Sequence, residues 1–176
     1  MWKLNIPNKV NIFLWKALHG IVAGMGILAQ RHIPTSSQCP VCKGGCEDIG
    51  HLMFTCKKAK EVWKALGVNE IIEEALKLDN SVVLEEIIRN ESVGKKIIRY
   101  FGWKETVAVG AWYIRWQRRE FVKGEKIATA SSSTFAMRAL TANYRKVIKN
   151  YLVSLIKWEK PPYDFYRINS RCILLS

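Results

Sequence analysis

Four residues in the first third of the chain have the types and the spacing of a metal site. Cys39 and Cys42 form a C-x2-C pair, His51 follows after eight residues, and Cys56 follows after four more. A C-x2-C turn presents two thiolates on one side of a knuckle, and a more distant His and Cys complete the tetrahedron that zinc prefers. The histidine favours zinc over an iron–sulfur cluster. Because four protein ligands leave no open position for water, the pattern predicts a zinc ion that stabilises the fold and does no chemistry.

The loop that carries these residues has the flexibility that a metal site needs. Gly44 and Gly45 let the chain reverse sharply, which brings the second pair of ligands within reach of the first. Cys56 lies where the next helix is predicted to begin, and the positive end of the helix dipole favours a thiolate there. Cys46 lies between the two pairs and could replace one ligand, although its separation from Cys42 favours a spare thiol.

The hydrophobic pattern predicts helices over nearly the whole chain, with no convincing strand and no internal repeat. The expected fold is therefore all-α (mainly helical) with a small zinc-stabilised CCHC knuckle. The predicted helices cover about residues 8–19, 24–31, 56–66, two short stretches within 69–91, 94–122 and 132–158. Zinc would clip the second helix to the third. Because zinc-binding energy is local folding energy, loss of the ion is expected to unfold mainly residues 35–67.

The composition argues against a membrane protein. No run of about eighteen apolar residues is present, and the first residues lack the apolar block of a secretory signal. We therefore expect no membrane contact and an intracellular location, in the nucleus or the cytoplasm, where thiols stay reduced and clustered cysteines bind metal.

Positive charge is concentrated in the second half of the chain. Residues 95–176 contain 17 Lys and Arg against 5 Asp and Glu, whereas residues 1–94 contain 11 against 10. Such a field attracts polyanions such as RNA or DNA, although a docking face for an acidic protein is an alternative. Binding would be sequence-tolerant and driven by phosphate contacts. The candidate nucleic-acid-binding residues, all on the two long helices, are Arg115, Arg118, Arg119, Arg138, Arg145 and Lys149.

Two tryptophans on the first long helix bear on how a nucleic acid would bind. Trp112 and Trp116 could stack on bases only if their rings were exposed. Their four-residue spacing instead predicts that they belong to a buried stripe.

No arrangement in the sequence predicts catalysis. Carboxylate pairs, nucleophile–base sets and phosphate-binding loops are missing at any recognisable spacing, and the aspartates Asp48, Asp79 and Asp164 are far apart. The acidic residues between positions 70 and 91 have the pattern of a solvated helix face. The chain is therefore not expected to be an enzyme.

Several spaced motifs carry a resemblance to a known family. They are Trp2-x-Leu4-x-x-Pro7-x-Lys9-Val10-x-Ile12-Phe13-Leu14-Trp15, Leu18-His19-Gly20, Cys39-Pro40-x-Cys42, Glu47-Asp48-x-x-His51-Leu52 and Cys56-x-x-Ala59-x-x-x-Trp63. Over residues 2–67 this pattern resembles the zinc-binding domain that follows reverse transcriptase in plant non-LTR (LINE-type) retroelements. Residues 111–119 are similar to the tryptophan/arginine helix that comes later in such reading frames, with Arg115 where an aromatic residue is more common.

The resemblance implies a domain organisation and a function. Residues 1–67 would be the zinc-binding domain, residues 68–160 a basic helical region, and residues 161–176 a vestige of the start of a ribonuclease H-like domain. In that domain the first catalytic aspartate would fall where Arg171 lies. The chain would then be a fragment of a retroelement polyprotein without its neighbouring enzymes, or a gene born from one. Its implied role is to bind zinc and help hold RNA or DNA. The alternative is a domesticated host protein that acts through protein–protein interaction.

Overall fold

A computed structural model describes residues 4–22, 24–77, 83–89, 102–156, 165–168 and 171–174, with side chains described in these ranges except at residue 89 and beyond residue 147. Its contacts divide the chain into two units, residues 1–145 and residues 146–176. The sites considered below all lie in the first unit.

The first unit consists of helices. In chain order they are α1 (Asn8–Leu18), α2 (Met25–Gln30), a π-helix (His51–Thr55), α3 (Lys57–Leu66), α4 (Asn69–Leu76), α5 (Val83–Arg89), α6 (Trp103–Val122) and the first part of α7 (Ala130–Ile156). The prediction of a mainly helical fold is therefore confirmed. The π-helix was not predicted, because a single turn of this kind has no periodicity that a sequence pattern can show.

The second unit contains the end of α7 and a short hairpin. Strand β1 (Phe165–Ile168) pairs antiparallel with β2 (Arg171–Leu174), in a register that places Phe165 opposite Leu174 and Ile168 opposite Arg171. No strand was predicted here. The two runs are rich in aromatic and aliphatic residues and are separated by two positions, which favours a hairpin, but four residues are too few for alternation to be recognised.

The apolar residues of the helices around the cysteine loop are mostly buried. In α1 the buried residues are Val10, Phe13, Leu14 and Ala17. In α3 the buried stripe is Ala59, Val62, Trp63 and Leu66. α3 begins directly after Cys56 and ends at Gly67, whose positive φ of 76° closes the helix in the left-handed conformation. These two helices therefore form from the periodicity that the sequence shows.

The hydrophobic core is continuous from the cysteine loop to the long helices. It includes Cys39 and Cys56 at one end and Met137 of α7 at the other. Trp63 is fully buried at its centre and donates a hydrogen bond from Nε1 to the carbonyl of Met53 at 2.8 Å. The indole ring lies against Gly110 in the middle of α6. The packing of α6 thus depends on residues of the zinc-loop region, across the predicted boundary at residue 67.

α6 buries a different face from the one that its tryptophan spacing predicts. Its buried residues are Val107, Ala108, Val109, Gly110, Ala111, Ile114 and Gln117. Trp112 is half-buried and Trp116 is 37% exposed, so the expected core position of Trp116 is wrong. Gly110 lies on this buried face, where the Trp63 ring occupies the space that a Cβ would fill.

Gly110→Ala is expected to lower the free energy of unfolding by about 1–3 kcal/mol. In most helices this change is stabilising by about 1 kcal/mol, because Ala has the higher helix propensity. Here a Cβ at residue 110 would lie 2.4 Å from the six-membered ring of Trp63. Urea unfolding of the two proteins measures the difference. In the double variant Gly110→Ala/Trp63→Phe the two losses should be less than additive, and a Gly110→Ala protein more stable than the wild type would contradict the packing described here.

Candidate metal centre and basic groove

The four predicted ligands come together in the structure. One donor atom from each of Cys39, Cys42, His51 and Cys56 lies within 4.8 Å of all the others. The Sγ atoms of Cys39 and Cys56 are 4.0 Å apart, and Cys42 Sγ is 3.2 Å from His51 Nε2. Ligands at zinc–ligand distances of about 2.0–2.3 Å in a tetrahedron lie about 3.3–3.8 Å from one another. The group is therefore close to the geometry of one tetrahedral zinc site.

Local hydrogen bonds of the loop position the first two ligands. Cys39 N donates to the carbonyl of Gly45 at 3.0 Å, and Lys43 N donates to the carbonyl of Cys39 at 2.8 Å. Lys43 and Gly45 have positive φ values of 55° and 95°, which produce the reversal of the chain. The sharp turn predicted from the Gly44-Gly45 pair is thus made at Lys43 and Gly45.

The π-helix and the start of α3 position the other two ligands. Asp48 Oδ1 accepts a hydrogen bond of 2.6 Å from His51 N and fixes the first residue of the π-helix. His51 Nδ1 is 3.4 Å from the hydroxyl of Thr55. If Nε2 binds the metal, Nδ1 carries the proton, and this N–H can donate a hydrogen bond to the Thr55 hydroxyl. Metal-binding histidines usually have such a second hydrogen bond. Cys56 immediately precedes α3, as the sequence predicts.

The thiols of the group have different electrostatic environments. Burial raises the pKa of Cys39 to about 12 and also raises the pKa of Cys56. Burial also acts to raise the pKa of Cys42, but hydrogen bonds from the Gly44 N–H and from the two other thiols outweigh it, and the pKa is lowered overall. Buried thiolates need a compensating positive charge, and a divalent cation between the sulfurs would supply it.

Cys46, the alternative ligand, lies outside the group. It is exposed, and its sulfur lies against Gly26 of α2. Its neighbour in the isolated bridge of the loop is Gln38. The four-residue separation that favoured a spare thiol agrees with this position.

Glu47 connects the cysteine loop to α2 and to α6. Its side chain is fully buried, and Arg118, 11% exposed, makes a two-pronged ion pair with it. Arg118 Nε lies 2.8 Å from Oε1, while Nη2 contacts Oε2. Oε2 also accepts a hydrogen bond of 2.8 Å from Met25 N at the start of α2. One carboxylate therefore joins three elements that are distant in sequence.

A second feature is a groove between α1 and α6, which we call the basic groove. Its volume is about 580 Å³, and four cations line it: Lys9, Lys16, Arg115 and Arg119. The other lining residues are aromatic or aliphatic: Ile12, Phe13, Ile21, Val22, Trp112 and Trp116. Among the residues that the structure describes, no acidic side chain lines the groove. It is thus a cationic site with an apolar and aromatic floor.

Residues 1–63 match the protein family described as zinc-binding in reverse transcriptase. Over 63 residues the sequence is also 33% identical to a protein of Arabidopsis thaliana that is provisionally named a ribonuclease H protein, a match that covers 36% of this chain and 10% of that protein. No solved structure matches the chain.

The similarity to the reverse-transcriptase zinc-binding family covers residues 1–63. The resemblance to a retroelement zinc-binding domain is therefore confirmed for this part of the chain. Zinc is the metal that the family binds, and the Cys3His group of this domain has a donor set and spacing that fit it. None of the described helices has the length and apolar character needed to cross a bilayer.

The six predicted nucleic-acid-binding residues are spread over the structure. Arg115 and Arg119 line the basic groove, whereas Arg118 is paired with Glu47. Arg138 and Arg145 line a separate cavity of about 310 Å³. Lys149 lies in α7, but its side chain is outside those described. The predicted residues thus do not form one surface in the described part of the chain.

Two residues of the basic groove were missed because they lie in the half of the sequence that has almost no net charge. Lys9 and Lys16 of α1, within the zinc-binding domain, face Arg115 and Arg119 across the groove. Their seven-residue spacing places them two turns apart on one helix face, a signal that the sequence does contain. That this face lies beside α6 depends on tertiary packing.

Proposed function

We propose that the chain is a non-catalytic nucleic-acid-binding module whose fold is stabilised by one zinc ion. Cys39, Cys42, His51 and Cys56 would hold the ion as a closed set of four ligands. The observation that carries the proposal is the basic groove, in which four cations converge with no acidic lining residue among those described. In a nucleic acid, the anionic groups that such a surface would bind are the backbone phosphates.

The zinc site itself supports a structural role. Cys39 and Cys56 are buried in the hydrophobic core, so water has little access to that side of the ion. Four protein ligands complete the coordination of zinc, and a catalytic zinc needs a position open to water or substrate. The ion would act on nucleic-acid binding indirectly, by holding the loop that anchors α6.

The cations differ in how free they are to bind phosphate. Lys9 and Lys16 are exposed and make no ion pair with any described residue, and the Lys9 ammonium lies over the Trp112 ring. Arg119 is 53% exposed but already lies 2.9 Å from Glu120, so a phosphate would compete with that carboxylate. Arg118 is held by Glu47, and we assign it to the stability of the fold. The proposed phosphate contacts are therefore centred on Lys9, Lys16 and Arg115.

The proposal keeps the predicted division of the chain and assigns one wall of the groove to each of the first two regions. The zinc-binding domain, residues 1–67, would contribute one wall of the binding groove through α1, and the basic region, residues 68–160, the other wall through α6. The tail of residues 161–176 has no role in this proposal.

Replacing Lys9 and Lys16 together by Gln is expected to weaken binding to a labelled single-stranded oligonucleotide of mixed sequence. It should also reduce the slope of log affinity against log salt by about 1.4, since each phosphate contact on a single strand contributes about 0.7. Fluorescence anisotropy between about 50 and 200 mM salt measures both quantities.

Lys60→Gln/Lys64→Gln is the matched control for this experiment. These two lysines are exposed on α3, away from the basic groove, and their removal changes the net charge by the same amount. The control should keep most of the affinity and the slope. Affinity that is absent at low salt, or unchanged by salt, would disprove the proposed function.

A further inference from the structure

We infer that the basic groove binds a single strand of RNA or DNA with a base stacked on Trp116. This inference rests on the proposed function, because it states which form of nucleic acid, single-stranded or duplex, the same groove binds. The feature that carries it is the combination of a partly exposed indole with cations on both sides of it.

Trp116 has the position and support of a stacking platform. The residue is 37% exposed and lines the groove. Tyr113 supports it from within α6, with ring centroids 5.4 Å apart and planes tilted by 41°. A ring that is supported by its neighbour loses little further freedom when a base is stacked on it. Base–aromatic stacking is tolerant of sequence, as a phosphate-driven site requires.

Trp112 has a different role in the same groove. Lys9 Nζ lies 4.5 Å from the centre of its ring, a cation–π contact. This contact joins α1 to α6 across the floor of the groove and holds the ammonium group beside the path that a strand would take. The Trp112 ring is therefore already in contact with Lys9, and Trp116 is the ring of the groove that is left to stack on a base.

Arg115 contributes a partly buried guanidinium to the groove. Its Nε is buried and has no hydrogen-bond partner among the described residues. Burial, followed by the charges of Arg118 and Arg119, lowers the pKa of this guanidinium, but an arginine keeps its proton at neutral pH. A buried and unpaired N–H is costly. Arg115 therefore lines the groove with a guanidinium whose Nε the protein leaves unpaired.

The dimensions of the site favour a single strand over a duplex. A groove of about 580 Å³ is in the range that holds a molecule of nucleotide size. In a duplex the bases are stacked inside the helix, and only their edges and the backbone are accessible to a protein. A single strand can turn a base onto the indole while its phosphates contact the lysines. The exposed Ile12 and Ile21 extend the apolar surface on which a neighbouring base can lie.

The test compares one labelled oligonucleotide, single-stranded and as a duplex, on the full chain. Trp116→Ala is expected to weaken single-strand binding about tenfold, to change duplex binding by less than about twofold, and to leave the salt slope unchanged. Trp116→Phe keeps an aromatic face and should recover most of the affinity. Trp15→Ala removes an exposed tryptophan of α1 that does not line the groove, and it should have no effect.

The outcomes separate this inference from the proposed function. If Trp116→Ala weakens both forms equally, or neither, while the wild type still binds in a salt-dependent way, the stacking inference is overturned and the proposed function stands. If the wild type binds neither form, both are overturned. A Trp116→Phe variant as weak as Trp116→Ala also contradicts stacking, and a melting curve of each variant shows that the fold is kept.

Discussion

Removal of the metal is expected to destabilise the whole first unit, residues 1–145, and not only the cysteine loop. Structural zinc contributes about 10–16 kcal/mol of binding energy in small zinc domains, comparable to the total stability of a protein of this size. The sequence alone suggested that residues 35–67 would unfold and that the long helices would persist. The structure changes this expectation, because Cys39 and Cys56 belong to the same core as Trp63, on which α6 packs.

Chelation followed by a thermal melt measures the effect. The metal-free protein should lose the fixed near-ultraviolet signal of its tryptophans and the cooperative transition. Only part of its far-ultraviolet helical signal should remain, since helices without tertiary packing are marginal in water. The wild type should contain one zinc per chain by metal analysis. A zinc-free preparation that melts as the zinc-loaded protein does would show that the four ligands hold no structural metal.

Cys39→Ser and Cys46→Ser form a matched pair for this experiment. Both remove one thiol from the same loop, but only Cys39 belongs to the ligand group, and Cys46 is exposed. Cys39→Ser should lose zinc and reproduce the chelated protein. Cys46→Ser should keep one zinc and melt close to the wild type.

Breaking the ion pair between Glu47 and Arg118 is expected to have the second largest effect. Arg118→Met should lower the free energy of unfolding by about 3–5 kcal/mol, because it leaves a buried carboxylate without its charged partner. Glu47 is fully buried, and its remaining side-chain hydrogen bond is from Met25 N. Urea unfolding followed by tryptophan fluorescence measures the loss.

Two further variants identify the cause. Glu47→Gln/Arg118→Met removes both charges and keeps an acceptor for Met25 N, so it should be more stable than Arg118→Met alone. Arg119→Met breaks a pair at the surface, and its free energy of unfolding should stay close to that of the wild type. An Arg118→Met protein as stable as Arg119→Met would mean that the buried pair does not hold the loop to α6.

The metal site was predictable because its ligands are close together in the sequence. A C-x2-C pair and a His-x4-Cys pair on one short loop can meet only over a limited set of distances, and cysteine and histidine have few other reasons to be arranged in this way. The helices of the zinc-binding domain were predictable for a similar reason, since their periodicity is local. Residues 1–63 also carry enough spaced motifs to reveal the family.

The binding surface was predicted only in part. Charge counts directed attention to residues 95–176, and two of the six predicted residues, Arg115 and Arg119, do line the basic groove. The other wall comes from Lys9 and Lys16, in a half of the sequence with almost no net charge. Arg118 has the same chemistry as its neighbours, but a carboxylate 71 residues away in the sequence holds it in the interior.

The sequence by itself identified the Cys3His group, the helical character and the resemblance of the first 63 residues to a known family, because each depends on local spacing along the chain. Only the tertiary structure decided which cations are free, which tryptophan is exposed, and that Glu47 joins the zinc loop to α6. These are consequences of contacts between helices that are distant in sequence. Whether an arginine binds phosphate or a buried carboxylate depends on what packs against it.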